Sequence, residues 1–192
     1  HRVQCVLQSR TNGYIWVGTW FGLARFDGVR FNVFDKYNTP EMASDAINAL
    51  AEDQAGNLWV ATSDGLLRLT NGRFTRYTTK EGLPDNQTRQ LQITPDGDLW
   101  MITDGGVACY HEGKFDHFTT KDGLGELRPR DLLQSPNGHV LVVVGFGLQQ
   151  FDPITRRFES LALPGQPNLD WRTACFDRDR ETLWVSGGSA LF

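Results

Sequence analysis

Gly56-Asn-Leu-Trp-Val-Ala-Thr62 decides the fold of this 192-residue chain, because it recurs. Gly13-Tyr-Ile-Trp-Val-Gly-Thr19 and Gly97-Asp-Leu-Trp-Met-Ile-Thr103 repeat it closely. Gly138-His-Val-Leu-Val-Val-Val144 and Thr182-Leu-Trp-Val-Ser-Gly187 are worn copies. The anchor residues Trp16, Trp59, Trp100, Leu141 and Trp184 are spaced by 43, 41, 41 and 43 residues. A fixed period of this size marks a repeat architecture. Function is therefore to be sought on the faces of an array, not in a lone catalytic motif.

Working outward from the anchor, the echo continues. Six residues on come Gly22-Leu23, Gly65-Leu66, Gly106-Val107 and Gly147-Leu148, with Ala190-Leu191 in the fifth copy. Then follow the aromatic pairs Phe31/Phe34, Phe74/Tyr77 and Phe115/Phe118, with Phe158/Leu161 as the weaker fourth. Between the apolar runs lie Asp27-Gly28, Asn71-Gly72 and Glu112-Gly113, dipeptides suited to tight hairpins with positive φ. No stretch sustains a helical period.

Each repeat therefore predicts four short antiparallel strands, in the second copy A over 47–50, B over 58–62, C over 65–69 and D over 74–78. That is the blade of a β-propeller. The expected fold class is all-β: a β-propeller with four complete four-stranded blades plus a partial fifth, in one domain. The blades fall at about 1–45, 46–86, 87–128, 129–170 and 171–192 (partial). The first repeat opens at strand A and the fifth stops near strand C. An open array leaves apolar faces and edges uncovered. The expectation is a piece of a larger ring or, as the alternative, closure by self-association with a partner copy.

The net charge of −4 comes with no basic stripe, which argues against a nucleic-acid partner. No apolar run reaches the roughly 20 residues that cross a bilayer, so no membrane contact is expected of this segment. Cys5, Cys109 and Cys175 sit in apolar company and read as small buried hydrophobes. The histidines His1, His111, His117 and His139 fall on different positions of different repeats and form neither a metal set nor a catalytic pair. Asp96-Gly-Asp98 lacks the further carboxylates of a calcium loop and reads as a turn. No phosphate loop or nucleophile elbow is present, and no cofactor or metal is expected.

The run Gly13-Tyr-Ile-Trp-Val-Gly-Thr-Trp-Phe-Gly-Leu-Ala-Arg-Phe-Asp-Gly28 resembles the two-component regulator propeller repeat. So do Asp53-Gln-Ala-Gly-Asn-Leu-Trp-Val-Ala-Thr62 and the linkers Lys80-Glu-Gly-Leu83 and Lys121-Asp-Gly-Leu124. The resemblance spans the chain, with repeats four and five departing from it. It implies a seven-bladed ring in the periplasmic sensor region of a bacterial inner-membrane receptor, relaying to a histidine kinase or diguanylate cyclase. It also implies ligands that are often oligosaccharides.

Residues that recur in every repeat are expected to pack: the anchor tryptophans between blades, the threonines on strand-end polar groups, the glycines in turns. Binding is expected where the repeats differ, on the end formed by the B–C and D–A loops. The candidates there are Trp20, Phe21, Asp64, Arg89, Asp104, Arg128, Arg130, Phe146, Trp171 and Arg172. Aromatic platforms with planar hydrogen-bonding groups suit a small molecule or oligosaccharide. Arg89, Arg130 and Arg172, near the starts of A strands, can grip an anion bidentately or pair with Asp64 and Asp104 across blades. The favoured reading is a non-enzymatic ligand-binding sensor. The alternatives are a lyase-type propeller enzyme, which needs a general base on the loop face, and a protein-docking scaffold.

Overall fold

The computed structural model describes residues 2–145, 147–162, 170–177 and 182–187, with backbone alone at 190 and 191. The strands form five antiparallel sheets in chain order. Blade 1 holds β1 (Val3–Gln8), β2 (Ile15–Thr19), β3 (Gly22–Phe26) and β4 (Phe31–Phe34). Blade 2 holds β5 (Ile47–Glu52), β6 (Leu58–Thr62), β7 (Gly65–Thr70) and β8 (Arg73–Tyr77). Blade 3 holds β9 (Thr88–Ile93), β10 (Leu99–Thr103), β11 (Gly106–His111) and β12 (Lys114–Phe118). Blade 4 holds β13 (Asp131–Gln134), β14 (Val140–Val144), β15 (Gly147–Asp152) and β16 (Arg157–Leu161). Blade 5 has β17 (Trp171–Asp177), β18 (Thr182–Gly187) and β19 (Ala190–Leu191). The all-β propeller expected from the repeat is the fold that forms.

The periodic residues pack as their recurrence demands. All five residues of β6 and of β10 are buried, so these strands are covered on both faces. Trp16 packs with Ile47, Leu58 and Val60 of blade 2, and Trp59 with Leu99 and Met101 of blade 3. Trp100 packs with Leu132, Val140 and Val142 of blade 4, and Leu141 with Trp171, Ala174 and Val185 of blade 5. Each anchor thus lies against the following sheet. Trp184 departs from the expectation of a buried core position and is 41% exposed, because no described sheet follows blade 5. On the opposite face of the array, Val6, Val33 and Phe31 of blade 1 are exposed for the same reason.

The cysteines are free. Cys109 is buried and Cys5 half-buried, its thiol pushed up to about 11 by burial. Cys175 overturns the expectation of burial: it pairs cross-strand with Trp184 and is exposed with it.

Asn71-Gly72 and Glu112-Gly113 form two-residue hairpins with positive φ at both positions. The first repeat differs. Only Gly28 of its pair has positive φ, and a longer loop is held by Asp27 Oδ1, which accepts from the Val29 and Arg30 N–H groups. The linkers after β8 and β12 each fold into one 3₁₀ turn, Thr79–Glu81 and Thr120–Asp122, with reciprocal caps between Thr78 and Glu81 and between Thr119 and Asp122. They drop Leu83 and Leu124 into the core.

Candidate functional site

The B–C turns are held by the repeated threonine. Thr62 Oγ1 donates to the Gly65 carbonyl at 2.7 Å and accepts from the Asp64 N–H at 3.1 Å. Thr19 and Thr103 do the same for the turns at Trp20-Phe21 and Asp104-Gly105. Gly65 has φ of 105°, and a Cβ there would lie 2.6 Å from the Tyr77 carbonyl oxygen. Glycine is therefore required twice over, for conformation and for close approach.

The first strands carry a second device. In β1, β5, β9 and β17 the register against the next strand slips by one residue, a β-bulge that re-aims the extra side chain. The extra residues are Gln4, Asn48, Arg89 and Arg172. Two of the arginines singled out from sequence thus owe their display to bulges.

Arg89 Nε meets Asp104 Oδ1 at 2.5 Å, and Arg128 approaches Asp104 Oδ2 at 3.4 Å from the D–A loop. The hydrogen bond from Arg89 holds the Asp104 carboxyl below the usual carboxylate range, and Asp104 in turn raises Arg89. Asp64 is gripped by Arg76 at 2.8 Å and by Asn86 Nδ2 at 3.1 Å. The expected pairing of arginines with Asp64 and Asp104 across blades is corrected in detail. The Arg89–Asp104 pair lies within blade 3, and the partner of Asp64 is Arg76 of its own blade.

Arg130 reaches Asp170 at 2.6 Å, the Trp171 carbonyl at 3.0 Å and Glu126 at 3.7 Å. Glu126, Arg130 and Asp170 border a cavity of about 410 Å³ in blade 4. Trp20 is 52% and Phe21 65% exposed, a large aromatic surface on the first B–C turn. Arg172 is exposed as well. Trp171 is not available: it is 2% exposed and belongs to the core between blades 4 and 5, because its place at the start of β17 turns it inward. Phe146 lies outside the described residues.

Below this face runs a polar belt that the sequence did not single out. Asn48 Nδ2 donates to the Thr88 carbonyl at 2.7 Å, and Gln90 Nε2 donates to Asp131 Oδ1 at 2.8 Å. Asp131, itself buried, also accepts from the Thr173 hydroxyl and the Ala174 N–H. One buried carboxylate thereby ties blades 3, 4 and 5. The only hint in sequence is a polar side chain at otherwise apolar strand-A positions.

Among the described residues no histidine lies in the turns of this face; His111 sits on the other end beside Asp98, and His139 in an A–B turn. No group of three or more metal-ligating side chains occurs among the described residues. The arrangement offers charge-paired guanidinium groups, carboxylates and an aromatic platform, the chemistry of recognition.

Residues 41–64 match the family described as two component regulator propeller. No curated protein matches the chain. Among solved structures, the extracellular domain of the hybrid two component system BT3049 from B. thetaiotaomicron is similar, with a TM-score of 0.81 and 19% identity. The extracellular domain of the one component system BT4673 from the same organism gives 0.79 and 23%. These alignments cover 98% and 99% of this chain but 27% and 26% of those chains, so the chain spans about a quarter of their length. Virginiamycin B lyase from Staphylococcus aureus is also similar, with a TM-score of 0.74 and 14% identity over 96% of this chain and 63% of that one. The shared property is the propeller fold.

Proposed function

We propose that the chain is part of a ligand-sensing propeller in the extracytoplasmic, periplasmic region of a bacterial two-component-type membrane receptor. It would form part of a seven-bladed ring and bind a small molecule or oligosaccharide on the B–C and D–A loop face. The observation that carries this reading is the likeness, over nearly the whole chain, to extracellular domains of a hybrid two component system and a one component system, together with the regulator repeat at residues 41–64. Among the described residues no helix is long and apolar enough to cross a membrane, so on this reading other segments anchor and relay. The Arg89–Asp104–Arg128 and Arg130–Asp170 groups would orient ligand hydroxyls, and Trp20 would supply a stacking face.

A second reading, a lyase-type propeller, has one specific support, the likeness to virginiamycin B lyase. A variant of that lyase with a histidine replaced by alanine is catalytically inactive, and the described loop face here has no histidine. The sensor reading is therefore preferred. Calorimetric titration of the full-length protein with an oligosaccharide panel tests it. Saturable heat with unchanged ligand recovered afterwards supports the sensor, and recovery of a cleaved product overturns it in favour of the enzyme.

A further inference from the structure

Between blades 1 and 2, on the end formed by the A–B and C–D turns, lies a cavity of about 340 Å³, a size typical of small-ligand pockets. This end is opposite the one that carries Asp64 and Asp104. Arg25 of β3 stands in the cavity wall, cross-strand from Trp16. Its guanidinium carbon lies 4.7 Å from the centre of the Tyr14 ring and 5.8 Å from that of Trp16. Its Nε is buried without a hydrogen-bond partner, and it forms no ion pair with any described carboxylate. Arg25 is half-buried as a residue, and a buried N–H without an acceptor is costly.

The neighbouring interface shows what fills the corresponding space. Arg68 holds the same place in blade 2, cross-strand from Trp59, with its guanidinium 5.1 Å from the indole. Its Nε is also unpaired, but there blade 3 places Tyr110 against the same core. The ring of Tyr110 fills the space, 5.1 Å from Trp59. In blade 2 the position equivalent to Tyr110 is Leu69, which offers no acceptor. The first interface therefore keeps the arginine and its aromatic bed, and replaces the phenol with open volume.

The rest of the wall narrows the chemistry of an occupant. Leu58 and Leu69 are apolar, while Asn71 and Glu52 are polar. The Glu52 oxygens accept from Ser9, Thr11 and the Arg10 N–H, and a carboxylate has lone pairs beyond those three. They would repel a bare anion and accept from a hydroxyl. We propose that this cavity is a binding site for a small hydroxylated carboxylate, its carboxylate bidentate on Arg25 and its hydroxyls toward Glu52 and Asn71. The site is separate from the loop face and does not depend on the sensor reading.

The test is calorimetric titration of the full-length protein with gluconate and glucuronate, with glucose as the neutral control and inorganic sulfate as the bare anion. Submillimolar binding of at least one of the two acids is expected, with neither glucose nor sulfate bound. Arg25→Gln should weaken it about 10- to 100-fold, the scale of a lost charge-assisted hydrogen-bond pair. Leu69→Tyr, which places in the cavity the phenol that Arg68 already has, should abolish binding while leaving the melting temperature unchanged or higher. Absence of binding by both acids at millimolar concentration overturns the proposal. So does sulfate binding as tightly, or a loss of binding in Arg128→Ala but not in Arg25→Gln, which would move the ligand to the other face.

Discussion

Glu52, at the end of β5, accepts a hydrogen bond from the Ser9 hydroxyl and another from the Thr11 hydroxyl, both at 2.7 Å, so that one carboxylate of blade 2 holds the A–B turn of blade 1. Burial works against its ionisation, but these donors and the Arg10 N–H outweigh that and hold its pKa below the ordinary value of 4.5. The folded value being the lower one, the stabilisation is present above about pH 4.5 and is lost as pH falls through the folded value. Glu52→Gln should lower the melting temperature at pH 7 by about 2–4 °C, and the difference from the parent protein should shrink at pH 3. Equal differences at both values would contradict this role.

Gly65→Ala should destabilise the fold by about 2 kcal/mol or more, through positive φ and collision with the Tyr77 carbonyl. Gly72→Ala is the control. Gly72 has positive φ but nothing within 4 Å of a Cβ, so its cost should be near 1 kcal/mol. Urea unfolding of the two variants distinguishes close approach from conformation alone.

Trp59→Ala should cost about 3–5 kcal/mol, as expected for a buried aromatic. Trp184→Ala, at the equivalent but 41% exposed position of blade 5, should cost less than half as much. Comparable losses in denaturant unfolding would mean that Trp184 is covered in solution.

His111 is held by Asp98, whose carboxylate raises its pKa above the ordinary 6.5. The contact stabilises fully below about pH 6.5 and fades as pH rises through the raised value. NMR titration should show the His111 ring titrating above the ordinary histidine value, and Asp98→Asn should bring it back down.

On the loop face, Trp20→Ala and Arg128→Ala should weaken ligand binding by the full-length protein about 10-fold each, with little change in melting temperature. Unchanged affinity in both would remove this face as the site.

The parts of this fold that were legible in sequence are those that every blade repeats. Trp59, Thr62 and Gly65 each do one job set by local geometry, so their recurrence reveals both strand positions and packing. What depends on a neighbouring blade was less legible. Nothing in the order of residues links Asp64 to Arg76 rather than to a later arginine, because that choice follows from how the C–D hairpin lays β8 beside the turn. The bulges that display Arg89 and Arg172 arise from pairing register, which strand pattern alone leaves open. Trp171 looked like a loop aromatic because it follows Asp170 at the edge of a strand, yet blade 4 covers it. The open volume beside Arg25 is visible only once Leu69 and Tyr110 are known to occupy equivalent places.

The placement of each anchor against the following sheet gives the array a direction. A blade emerging from the ribosome has its anchor side chain uncovered until the next forty or so residues are made, whereas from blade 2 onward its opposite face already has a neighbour to lie on. During synthesis, each anchor therefore gains its cover only when the successor blade arrives. A stall in synthesis between blades would leave one large apolar anchor uncovered at the growing edge.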